Sequence, residues 1–139
     1  KGAMIGLTLG HSKAHIWRAA LESVCFGTRS CIESLSEAGH TCDVVMLAGG
    51  VSRSDFWLQM HADVTGLPFV VCECSEGPLL GCAVLAASSV GLHGGTPSGA
   101  CAAMVRPSKR VEPNQQAHEA YEEAYRRYRA LSDAVRGAW

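Results

Sequence analysis

The chain has 139 residues, 47% of them apolar and 18% charged, with a formal net charge of −1; a soluble α/β protein with one core of ordinary size is the default expectation. Its Lys and Arg residues are scattered, so no basic stripe offers the footprint that nucleic acid or an anionic membrane surface requires. No apolar run reaches the roughly 20 residues that span a bilayer, and the opening residues lack the regions of a secretory signal, so a cytoplasmic protein is expected.

Lys1 to Leu9 is short, apolar and Gly-containing, and reads as a strand or loop entering from something upstream. From Ser12 to Ala38 apolar residues recur at Trp17, Leu21, Val24, Thr28, Cys31 or Ile32, and Leu35, the spacing of an amphipathic helix that Gly39 terminates. Gly27 inside it suggests the close approach of another backbone. Asp43 to Ala48 is a β-favouring run expected to be buried on both faces, and Gly49 and Gly50 stop it. Ser54 and Asp55 stand where an N-cap belongs, and Phe56 or Trp57, Met60 and Val64 give the stripe of a second helix ending at Gly66.

Pro68 to Glu73 is a second buried strand. Pro78 opens a third helix, Leu79 to Val90, whose Gly81, Ala83, Ala86 and Ala87 are small enough for tight packing on a sheet. Gly91 to Gly99 is a loop, Ser98 to Val105 a short helix, and a polar connector runs on to Glu112. The last helix, Pro113 to Val135, sets Tyr121, Tyr125 and Tyr128 on one face and carries the pairs Glu122 to Arg126 and Glu123 to Arg127. This order implies an open, mostly parallel sheet with helices packed on it. The seven cysteines, an odd number in apolar segments, are expected as reduced core residues; Cys72 and Cys74 share a strand face, but no second pair completes a zinc site.

The chemistry-bearing segment is Leu47 to Trp57 (LAGGVSRSDFW), at the carboxyl end of the first strand, where open α/β sheets bind ligands. Gly49 and Gly50 let the backbone approach a ligand, and the following helix supplies unsatisfied N–H groups and partial positive charge, which suits a ribose and phosphate. Ser52 and Ser54 add hydroxyls able to bond a base edge or cap the helix. Strand–Gly–Gly–helix turns also occur where nothing binds. The spacings of a P-loop and of a dinucleotide-binding turn are absent, and His11 and His15 lack the Glu of a zinc-protease helix, which leaves them capping or surface roles. His61 and Asp63, two apart on one helix, point to different faces.

Three stretches in order, GLTLGHSKAHIWRAALE from Gly6, AGGVSRSDFWLQMHADVTGLP from Ala48 and EGPLLGCAVLAA from Glu76, resemble the C-terminal domain of the FGGY family of carbohydrate kinases, particularly its pentulose-kinase branch. The resemblance covers nearly the whole chain. It implies a partial ribonuclease H-like, actin-like ATPase domain, residues 1–139 being the C-terminal portion of the nucleotide-binding domain of a kinase that uses ATP and Mg2+ to phosphorylate a pentulose such as ribulose or xylulose. Gly49 and Gly50 match the first two glycines of the family's adenosine motif, and Ser54 its polar position near adenine. Val51 departs from a third position usually held by Gly or Ala, which narrows the pocket. Trp57, Gln59 and Asp63 match as packing or supporting residues; Glu76 and Gly81 match the next motif, where Gly81 permits helix packing.

In that family the catalytic base is an Asp of an N-terminal sugar-binding domain, so this chain is expected to carry adenosine-binding but no catalytic or metal-ligating residue, and to phosphorylate nothing alone. A sheet lacking strands would also leave an apolar edge open to self-association. The alternative is a non-catalytic nucleotide-binding or interaction module of the same fold.

Overall fold

The computed structural model describes residues 2–137. In chain order the elements are α1 (Lys13–Glu37), β1 (Val45–Leu47), a 3₁₀ turn (Gly50–Arg53), α2 (Asp55–Thr65), β2 (Phe69–Cys72), α3 (Gly77–Ser89), a second 3₁₀ turn (Leu92–Gly95), α4 (Pro97–Met104), β3 (Pro107–Val111) and α5 (Gln115–Val135). Residues 2–9 form no strand, and Lys1 lies outside the described residues. The helix ends follow local chemistry. Gly39 and Gly66 take φ of +88° and +72° just beyond α1 and α2, a conformation that only glycine adopts without strain. The Thr96 and Asn114 side chains cap α4 and α5 by accepting from the N–H groups of Gly99 and Ala117.

The described residues form two compact units, residues 43–62 with 67–112, and residues 2–42 with 63–66 and 113–137. In the first, β1 and β2 pair in parallel while β2 and β3 pair antiparallel, in the order β1-β2-β3. The sheet is therefore mixed. The segment expected as a polar connector supplies β3: its side chains are exposed apart from Val111, so its apolar content is too low to mark a strand, and the pairing partner on β2 makes it one. Register places Val45, Phe69 and Val111 in one row and Leu47 and Val71 in the next. These five side chains share a face and pack with Leu58 and Ala62 of α2 as the core of this unit.

Burial on both faces holds for β2 but not for β1, where Met46 is 50% exposed. Among the described residues β1 has one strand neighbour, and the core lies on one face of it. Helix α3 buries Val84 and packs on α4 and the Leu92–Gly95 turn, while Gly81, Ala83 and Ala86 remain exposed rather than packed on the sheet.

The second unit is built on α1 and α5. Phe26 meets the rings of Tyr121, Tyr125 and Tyr128 at centroid distances of 6.0, 5.7 and 5.3 Å, so the tyrosine face of α5 is an inner face. On α1 the buried residues are Cys25 and Phe26, whereas Trp17, Val24 and Leu35 are exposed, a rotation of the apolar stripe by about one position. Arg29 explains it. Its guanidinium stands 4.2 Å over Tyr125 and bonds Glu33 Oε1 at 3.0 Å, Glu122 Oε1 at 2.6 Å and the Val64 carbonyl at 3.1 Å. Counting apolar residues alone misses an inward-facing arginine. Burial opposes the charge on Arg29, and hydrogen bonds to Glu122 and Glu33 outweigh that, holding its pKa above the ordinary value.

Three local expectations are corrected by this packing. Glu122 is taken by Arg29 and stands 3.5 Å from His118, so the expected pair with Arg126 does not form, while Glu123 does bond Arg127. A Cβ on Gly27 would make only ordinary contact with the Tyr128 hydroxyl at 3.9 Å, so no close backbone approach demands glycine there. Of the seven cysteines only Cys25 is buried; Cys42 and Cys72 are partly covered and the other four are exposed.

Candidate functional site

Because β1 and β2 are parallel, their carboxyl ends lie on the same side of the sheet, and α2 and α3 both begin there. The chain leaves Leu47, passes Ala48 and turns at Gly49, whose φ of +92° and ψ of −163° belong to a region open essentially to glycine alone. Gly50, Val51, Ser52 and Arg53 then form the 3₁₀ turn, closed by the Ser52 N–H on the Gly49 carbonyl at 3.1 Å and the Ser54 N–H on the Val51 carbonyl at 3.2 Å. A Cβ built on Gly49 or Gly50 meets nothing within 4 Å. Among the described residues, therefore, nothing packs against either glycine, and the backbone there is open.

Ser54 ends the turn and starts α2, its Oγ accepting weakly from the Trp57 N–H at 3.4 Å and its carbonyl accepting from the Leu58 N–H at 2.9 Å. Ser52, read as a group for a base edge or a helix cap, instead donates its hydroxyl back to the Gly49 carbonyl at 2.6 Å. The signal for this lies in the sequence, since a serine a few residues beyond a turn readily bonds local backbone. Opposite the loop entrance, a Cβ on Gly77 would come within 2.8 Å of the Ala48 Cβ, so the start of α3 lies directly against the end of β1. Gly81, by contrast, has open space around it, and the packing role expected of it is not seen.

Asp55 at the first turn of α2 is paired with Lys109 of β3 at 2.6 Å. Sequence reasoning missed this partner because it did not recognise β3. The pair neutralises a carboxylate that would otherwise repel an anion at this helix start. The Trp57 and His61 rings lie 5.5 Å apart, tilted by 56°, His61 in turn stands 5.6 Å from Phe69, and the buried Trp57 indole N–H has no acceptor among the described residues. Gln59 donates to the Glu112 carbonyl at 2.9 Å. His61 donates from Nδ1 to the Trp57 carbonyl at 2.9 Å, while Asp63, in the second unit, accepts from the Asn114 N–H at 2.8 Å. The two thus serve different faces and different partners, as their spacing requires. His15 Nδ1 accepts from the Ser12 N–H at 3.1 Å at the start of α1, a capping role.

The fold and the loop define an α/β domain with a strand–glycine–helix turn at the carboxyl end of its first strand. Residues 1–90 match the family model described as the C-terminal domain of the FGGY family of carbohydrate kinases, and the chain belongs to that family. It is 32% identical to a xylulose kinase of Staphylococcus epidermidis over 94% of this chain and 26% of that protein, and 31% identical to a ribulokinase of Mycolicibacterium smegmatis over 95% and 23%. Among solved structures, the xylulose kinase of Rhodospirillum rubrum superposes with a TM-score of 0.79 at 30% identity, covering 94% of this chain and 26% of that one. The chain spans about a quarter of the length of the curated relatives it matches.

Among the described residues no helix is long and apolar enough to cross a membrane, and no group of three His, Cys, Asp or Glu side chains could hold a metal ion.

Proposed function

We propose that this chain is the adenosine-holding part of an ATP-dependent sugar kinase that phosphorylates a pentulose such as ribulose or xylulose, with the sugar held by an N-terminal domain outside these 139 residues. The observation that carries the reading is the open Gly49–Gly50 backbone at the carboxyl end of β1, in a chain whose relatives include a xylulose kinase and a ribulokinase. Gly49 and Gly50 would lie along the ribose and phosphates, Val51 would narrow the space beside them, and Ser54, whose bond to Trp57 is long, has a hydroxyl hydrogen to offer the adenine edge.

Phosphoryl transfer depends on positioning, charge neutralisation and a base for the sugar hydroxyl. The chain's own contribution is positioning. Asp55 is paired with Lys109 and Asp63 accepts from the Asn114 N–H, which supports structural roles for both. Mg2+ would arrive with the phosphates, because this ion keeps several waters and is bound chiefly through substrate phosphates with one or two carboxylates. Exposed apolar side chains on α3, Leu79 and Leu85 among them, support burial against the remainder of a larger protein or self-association of the isolated chain.

The reading is tested by titrating ATP and ADP into the chain calorimetrically, and by following ADP release with ribulose and xylulose for the chain alone and for the complete open reading frame. Weak saturable nucleotide binding by the chain, with sugar-dependent turnover only in the complete protein, is expected. Turnover by the chain alone overturns the division of labour; nucleotide binding without turnover in the complete protein identifies a non-catalytic module instead.

A further inference from the structure

The Gly49 carbonyl accepts twice from one residue, from the Ser52 N–H at 3.1 Å and from the Ser52 hydroxyl at 2.6 Å. The first bond comes with any 3₁₀ turn. The second requires a hydroxyl at position 52. The described chain has no cis peptide, and in a planar trans peptide the C=O and N–H point in opposite directions. Holding the Gly49 oxygen toward Ser52 therefore turns the Gly50 N–H the other way, where it has no partner among the described residues.

The peptide between two glycines is the easiest of all to rotate, because neither flanking residue has a Cβ to obstruct it. Rotated by half a turn, it would present a carbonyl oxygen where the N–H now stands, and an anion would be repelled instead of bonded. We propose that Ser52 is a positioning residue: its hydroxyl holds the Gly49–Gly50 peptide with the N–H outward, so that the loop offers a donor to a phosphate oxygen of the bound nucleotide. This rests on the nucleotide reading above and adds to it the residue that sets the loop's polarity. The Asp55–Lys109 pair acts in the same direction, because it cancels the nearby carboxylate charge.

The test is calorimetric titration of the 139-residue chain and its Ser52→Ala and Ser52→Thr variants with ADP and with adenosine, alongside thermal melts. Loss of the hydroxyl bond is expected to weaken ADP about fivefold and adenosine less than about twofold. The threonine variant, which keeps the hydroxyl, should hold ADP like the parent. Ser52→Cys, close in size but a weak donor, gives the same readout should the alanine variant fail to fold. Unchanged ADP affinity without the hydroxyl overturns the proposal, as does an equal loss for ADP and adenosine with a lowered melting temperature. If the parent chain binds neither ligand, the nucleotide reading itself fails, and this inference with it.

Discussion

In the helical unit, Tyr125 donates to Glu33 across 92 positions of sequence and Phe26 packs among three tyrosines of α5, so α1 and α5 are joined by long side chains distant in the chain. In the sheet unit, the Gly49–Ser54 loop is held by bonds between residues three apart, and its backbone is otherwise open. The contrast teaches where each region is vulnerable. The helix pair depends on buried volume and shared charges. The loop depends on backbone conformation and has little packing to lose.

The largest effect is expected at Phe26, which is 7% exposed. Phe26→Ala should cost about 3–5 kcal/mol in urea unfolding, with hydrogen-exchange protection lost first in α1 and α5; a change below about 1 kcal/mol would break the picture of an aromatic-centred helix pair. Next comes Gly49→Ala. Its positive φ makes about 1–3 kcal/mol of strain unavoidable in the present loop conformation, and ADP affinity should fall about tenfold or more. Gly50→Ala, where no positive φ is required and nothing lies within 4 Å, should cost clearly less stability. Equal destabilisation at the two glycines would show that backbone conformation is not what the loop depends on.

The smallest effect is the acid response of the helix pair. The hydrogen bond from Arg29 holds the Glu122 carboxyl below its ordinary value of 4.5, only partly offset by burial. A lowered folded-state pKa adds stability above about pH 4.5, and that increment is lost as pH falls through the depressed value. Melting temperature should therefore drop on acidification below that point, and Glu122→Gln should flatten the drop. An identical acid profile in the variant would show that the Arg29–Glu122 pair contributes nothing to it.

Much of this architecture is legible in sequence, for identifiable reasons. Helices α1, α2, α3 and α5 and strands β1 and β2 announce themselves through apolar periodicity and through glycine or proline at their ends, which are local properties. The Gly49–Gly50 turn is equally visible, because a glycine pair between a strand and a helix is a backbone requirement written in residue type. Strand β3 is not visible: its residues are mostly polar and exposed, and only hydrogen bonding to β2 makes them a strand.

The sequence by itself therefore determined the family, the order of the principal elements and the site of the open glycine loop, all of which depend on residues near one another in the chain. Tertiary structure alone decided that Arg29 faces inward, that Glu122 serves it rather than Arg126, and that Lys109 neutralises Asp55. Long polar side chains choose among several partners of similar strength, and the choice is made only when folding fixes which of them come within reach.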